Sequence, residues 1–208
     1  MGVRALYEAT LKERGYASDE AQQRAIGALE RCENEWADYK ARRSNAVTKL
    51  LLRPPIPRGV YMWGGVGRGK SFLMDCFFQS VPLTRKTRLH FHEFMREVHR
   101  ELQELKGTPN PLQELGARIA RRFRLICFDE FHEKIFTGER RAQLEALFAN
   151  RVSIVTTSNF PPDGLYPNGL HRDRILPAIA LLKDKLEVIN VDAGTDYRSR
   201  AMQHVKRY

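Results

Sequence analysis

The stretch Gly59-Val-Tyr-Met-Trp-Gly-Gly-Val-Gly-Arg-Gly-Lys-Ser-Phe-Leu-Met-Asp-Cys-Phe77 narrows the possible folds more than any other part of the chain. Gly64, Gly69, Lys70 and Ser71 fit the spacing G-x-x-x-x-G-K-[ST]. The apolar run Val60 to Trp63 before it predicts a strand, and the amphipathic run Phe72 to Phe78 after it predicts a helix. Strand, glycine loop and helix in that order make a clamp for phosphate. The loop has to wrap backbone N–H groups around phosphate oxygens, and Gly64, Gly65, Gly67 and Gly69 permit both the backbone angles and the close approach. The helix then adds its unpaired first-turn amides and the positive end of its dipole. In such a clamp Lys70 reaches the β- and γ-phosphates of a nucleoside triphosphate, and Ser71 offers a hydroxyl to Mg²⁺. Val66, Arg68 and Phe72 complete the stretch expected to meet the nucleotide.

A chain of 208 residues accommodates one α/β domain of ordinary size and a small appendage. Hydrophobic residues at 42% and charged residues at 29% place it with globular proteins rather than disordered or membrane ones. No apolar run approaches the length of a membrane span, and residues 1–15 carry both charge signs without an apolar signal core, so a cytoplasmic location is expected. Cys32, Cys76 and Cys127 stand apart and read as reduced residues, not as a disulfide framework or a zinc site. The net charge of +10 permits an anionic partner, whether nucleic acid, acidic lipid surface or acidic protein, without selecting one.

Residues 1–52 read as a helical arm. Its two helices lie within 3–43, divided near Gly15, and Ser18 stands at the start of the second with Asp19 and Glu20 in its first turn. The prolines of 53–58 exclude helix and central strand, making a joint to a core over 59–191. Past the clamp, Arg88 to Phe94 alternates as a strand with Leu89 and Phe91 on one face, and a helix follows from Phe94 to Leu105. On the next helix, Leu112 to Phe123, Arg118, Arg121 and Arg122 share one basic side. His90, His92 and His99 do not share one face and are read as core-edge or surface residues, not metal ligands.

Leu125-Ile-Cys-Phe-Asp-Glu describes a buried parallel strand ending in paired acids. Ligands of open α/β sheets sit outside the carboxyl ends of strands, which brings Asp129 and Glu130 beside the phosphate loop. Asp129 is then expected to hold Mg²⁺ through water, and Glu130 to orient and polarise the attacking water. A helix over Glu139 to Phe148 leads to a β-branched strand, Val152 to Thr157, ending in Ser158-Asn159. Asn159, level with the acids, reads as a sensor of the γ-phosphate. A helix within Leu170 to Leu182 and a last strand, Leu186 to Val191, complete the core.

These motifs resemble the AAA+ ATPases: Gly64–Ser71 as Walker A, Leu125–Glu130 as Walker B, and Ser158-Asn159 as sensor 1. His90-Phe-His-Glu-Phe-Met, Cys127-Phe-Asp-Glu-Phe-His and Thr157-Ser-Asn-Phe-Pro-Pro-Asp-Gly-Leu-Tyr-Pro-Asn-Gly-Leu are similar to the ZapE-like group of bacterial cell-division ATPases and their mitochondrial relatives. The resemblance implies a P-loop NTPase fold, a three-layer αβα sandwich on a five-stranded parallel sheet in the order 5-1-4-3-2. It implies ATP and Mg²⁺, a ring or filament of subunits, a protein partner in cell division and a place near the inner membrane, with nucleic acid the less favoured partner. Arg172 and Arg174 stand where the family places an arginine that completes a neighbour's site. By analogy with the family, Tyr7 and Gln22 are candidates to touch adenine. His132 to Arg141 departs from the family's wording. The tail 192–208 is too short for the family's helical lid, so the chain is expected to bind ATP and to hydrolyse it poorly alone.

Overall fold

The computed structural model describes residues 1–131, 138–165, 173 and 175–192. The arm supplies α1 (Val3–Arg14), α2 (Glu20–Arg42) and a short α3 (Ala46–Leu51). The core runs β1 (Gly59–Trp63), α4 (Lys70–Ser80), β2 (Lys86–His90), α5 (Phe91–Glu104), α6 (Pro111–Arg122), β3 (Leu125–Asp129), α7 (Gly138–Ala149), β4 (Ser153–Ser158), α8 (Leu176–Lys185) and β5 (Leu186–Asn190). All pairings are parallel and the order is β2-β3-β4-β1-β5, which is the expected 5-1-4-3-2 read from the other edge.

Central strands buried on both faces have to be apolar throughout, and their alternate residues divide the interior into two layers. Tyr61, Ile126, Phe128 and Ile154 point into one layer with the apolar faces of α5, α6, α7 and α8. Val60, Met62, Leu125, Cys127 and Val155 point into the other, against α1, α2 and α4. The arm helices therefore form one face of the sandwich. Trp36 of α2 and Tyr7 of α1 are both fully buried there. Cys32, Cys76 and Cys127 are buried free thiols, and burial raises the Cys32 thiol to about 12 and Cys76 to about 11.

Local chemistry moves two boundaries. Asp19, not Ser18, caps α2, its carboxylate accepting the Gln22 N–H at 2.8 Å, because the Ser18 hydroxyl is engaged by Tyr7 at 2.7 Å and by Gln23. β2 ends at His90, and Phe91 opens α5 instead of continuing the strand. The His90 N–H donates to Glu93 at 3.3 Å, and Phe91, Phe94, Met95 and Val98 fall at helical spacing on the buried side. Two residues of period-2 alternation gave way to a four-residue helical stripe. No helix among the described residues is long and apolar enough to cross a membrane.

Candidate functional site

β1 delivers the chain to the phosphate loop at the carboxyl end of the sheet. Gly67 (φ 83°) and Gly69 (φ 82°) adopt left-handed backbone, and a Cβ on Gly69 would stand 2.7 Å from Gln22 Nε2. Only glycine meets both demands. Gly69 caps α4 without a side-chain bond, so the first-turn amides of α4 remain as donors for an anion. Lys70 Nζ donates to the carbonyls of Gly64 at 2.5 Å and Gly65 at 2.7 Å, which holds the ammonium over the loop. Burial pushes its pKa down, Asp192 opposes that, and Arg68 adds to it.

A cavity of about 510 Å³ opens over this loop, bounded by Gly67 to Phe72, Glu130, Thr157 to Asn159, Arg14 and Tyr16. That volume lies within the range of nucleotide-sized sites. Glu130 and Asn159 meet there because the ends of β3 and β4 are laced together. The Glu130 N–H donates to Thr157 Oγ1 at 3.2 Å, the Phe131 N–H to the Thr157 carbonyl at 2.8 Å, and Ser158 Oγ to the Phe131 carbonyl at 2.8 Å. Glu130 itself sits at φ 56°, a conformation that costs a β-carbon-bearing residue energy and that surrounding bonds must hold in place.

Asp129 sits one residue before Glu130 but does not line that cavity. Its carboxylate accepts from Arg88 Nε at 2.7 Å and Nη2 at 3.3 Å, while Arg88 also pairs with Asp75 of α4. Arg88 escaped the sequence reading, although a lone arginine in a short strand beside the acid-bearing strand was the available signal. The two contacts leave carboxylate lone pairs over, so Asp129 keeps oxygen donors of the kind Mg²⁺ takes, as does the Ser71 hydroxyl.

Tyr7 and Gln22 do not line the cavity. They lie behind the loop: Tyr7 OH donates to Gln22 Oε1 at 2.6 Å, and Gln22 Nε2 donates to the Arg68 carbonyl at 3.3 Å. Arg14 and Tyr16 face the cavity in their place. Gln22→Ala is therefore expected to weaken ATP binding about 2- to 12-fold through a looser loop, the worth of one net hydrogen bond. Calorimetric titration checks this, and an unchanged Kd would show that the arm does not tune the loop. Asp192 was likewise unforeseen. Its carboxylate accepts the Gly65 N–H at 2.9 Å and lies 3.0 Å from Arg68 Nε, clasping the start of the loop to the end of β5.

Arg172 and Arg174 lie outside the described residues, as does 132–137 of the departing segment. The basic side of α6 is broken up by acids: Arg118 pairs with Glu104 and Glu114, and Arg122 with Glu101. His90 and His92 stack with centroids 5.7 Å apart, and no group of three or more metal-ligating residues occurs among the described residues.

Known proteins are similar to this chain. Cell division protein ZapE of Escherichia coli (strain K12) is 52% identical over 147 residues, covering 70% of this chain and 39% of that protein. Lactation elevated protein 1 homolog B of Danio rerio is 38% identical over 168 residues, 74% of this chain and 33% of that one. The chain thus spans 39% or less of the length of these curated relatives. Among solved structures, AMPPCP-bound DnaA from Aquifex aeolicus is similar with TM-score 0.58 at 12% identity, over 92% of this chain and 53% of that one. DnaI is similar with TM-score 0.55 at 15% identity, over 86% and 85%. At such identities these two likenesses speak to the fold alone. The family model described as AFG1-like ATPase matches residues 1–208, the clamp, the acid-tipped strand and the arm included, and this chain belongs to the AFG1-like ATPase family.

Proposed function

We propose that this chain is the ATP-hydrolysing core of an AAA+ protein that acts on a protein partner in cell division, on the cytoplasmic side. The observation that carries the reading is the meeting of Glu130 and Asn159 with Lys70 and Ser71 around one cavity. Loop amides and Lys70 bind the triphosphate, with Val66 and Arg68 on the loop and Phe72 on the first turn of α4. Glu130 orients and polarises the water that attacks the γ-phosphate, and Asn159 holds that water or the γ-phosphate in line. Ser71 and Asp129 would hold Mg²⁺, which would supply charge neutralisation of the phosphates. Arg172 or Arg174 from a neighbouring subunit completes the site, a contribution that elsewhere is worth about 10³–10⁵ in rate. The ZapE relative's designation as a cell division protein supports the biological setting. A DNA-associated loader is the weaker reading, because acids neutralise Arg118 and Arg122. A scaffold that only binds ATP has no use for a carboxylate posed at Glu130.

The test is steady-state ATP hydrolysis against protein concentration, with ATP binding measured alongside. A specific rate that rises with concentration and is lost in Arg174→Ala or Arg172→Ala, with ATP still bound, is the expected result. ATP binding with no turnover at any concentration would defeat the reading of this chain as an ATP-hydrolysing core.

A further inference from the structure

The opposite end of the sheet holds a second cavity, of about 590 Å³, whose charged lining is wholly basic among the described residues. Arg85, Arg124 and Arg151 stand just before β2, β3 and β4, so this cavity is at the amino ends of strands whose carboxyl ends face the nucleotide loop. Its wall contains half-buried Arg43, Arg124 and Arg151, and its rim exposed Lys49, Arg53, Arg85 and Arg121. Among the described residues none of these cations has a carboxylate partner, in contrast with Arg118 and Arg122 close by on α6. The wall arginines spend donors on carbonyls instead: Arg124 on Asn150 at 3.1 Å, Arg43 on Lys49 at 2.8 Å. Among the described residues, Nε of Arg43 and Nε of Arg124 are buried without a hydrogen-bond partner. Grouping guanidinium ions away from water without an anion is costly, and the proximity of Arg85, Arg151 and Arg43 adds to burial in disfavouring the charge on Arg124. An anion would relieve both.

A second observation lies on the same rim. α3 buries none of its residues, and Val47 (64% exposed), Leu50 (80%), Leu51 (72%) and Leu52 (46%) face water in one short segment. Leu50 and Lys49 both line the cavity, so the aliphatic cluster and the cationic hollow form one continuous face. Either signal alone gives weak, reversible membrane attachment; together they meet the two-signal requirement for stable binding.

We propose that this face docks on a bilayer of anionic phospholipid, with headgroup phosphates entering the arginine cavity and Val47, Leu50 and Leu51 inserting at the acyl boundary. A nucleic-acid strand would satisfy the arginines and leave the leucines in water. The cationic face also stops at the ion-paired Arg118 and Arg122 instead of running on as a stripe along which a polymer could lie. Docking this way turns the nucleotide cavity, at the far end of the sheet, toward the aqueous side. The inference is independent of the ATPase reading.

The experiment is sedimentation of the full chain with vesicles of phosphatidylcholine alone or mixed with phosphatidylglycerol, at low and raised salt. Retention on the anionic vesicles only, falling with salt, is the expected result. Arg53→Gln with Arg121→Gln, two side chains without an ion pair or hydrogen bond of their own among the described residues, is expected to reduce partitioning roughly 30-fold. Leu50→Ser with Leu51→Ser is expected to reduce it about tenfold or more. ATP binding and the melting temperature serve as fold controls and should be unchanged in both. Equal retention on neutral vesicles, or none on either, would overturn the proposal. So would binding of inorganic tripolyphosphate, an acidic peptide or single-stranded DNA through the same arginines with no retention on vesicles.

Discussion

Glu130→Gln is expected to lower ATP turnover by about 10²–10⁴-fold while ATP binding persists, the range that a positioned general base contributes. The substitution keeps the shape of the side chain and removes only its capacity to accept a proton, so it separates chemistry from architecture. Glu130 is exposed to the cavity while its backbone is held in a left-handed conformation by the Thr157 hydroxyl, with Phe131 tied to β4 just beyond. The cost of φ 56° is met by the lacing of β3 to β4. Turnover is read under single-turnover conditions at the protein concentration of highest specific rate, with ATP affinity measured in parallel. A fall of less than about tenfold would remove Glu130 as the base, given the range above. Equal loss of binding would make it a binding residue.

The parts of the site legible in the sequence are those whose chemistry is local. A phosphate loop needs its glycines, lysine and serine at fixed offsets, so its spacing announces it. An acid-tipped apolar strand is likewise a local pattern. The residues that escaped reading act across the sheet or between layers. Arg88 is two positions before the end of β2, and its claim on Asp129 depends on β2 lying beside β3, which no local pattern in the chain states. Asp192 reaches Gly65 because β5 pairs with β1. Tyr7 and Gln22 were expected at the adenine, but α1 and α2 pack behind the loop on α4, which makes the two residues its support and gives the cavity-facing places to Arg14 and Tyr16. The arginines of α6 show the same limit. Helical spacing set them on one side, yet Glu101 and Glu104 of α5 decide that Arg118 and Arg122 are neutralised and that Arg121 is left to the basic cavity.

Gly59→Ala is expected to destabilise the fold by about 3 kcal/mol or more, a large structural effect for a single methyl group. β1 is flanked by β4 and β5, and a Cβ at its first position would lie 1.7 Å from the Ile154 carbonyl oxygen and 2.7 Å from Leu186 Cδ2. The first of these is main chain inside a hydrogen-bonded ladder, so relief requires β4 to move and not a side chain to turn. Displacement there travels along β1 into the phosphate loop, because Gly64 N–H is bonded to the Ser158 carbonyl at 3.2 Å and the Trp63 carbonyl accepts from Val191 N–H at 2.8 Å. Gly27→Ala is the matched control: it is inside α2 with no atom within 4 Å of the added carbon, and it is expected to stabilise by about 0.5–1 kcal/mol through helix propensity and a stiffer unfolded chain. Urea melts of both variants provide the measurement. If Gly59→Ala cost less than about 1 kcal/mol, the close seating of β1 against β4 would not be what holds the base of the loop, and ordinary strand burial would account for its position.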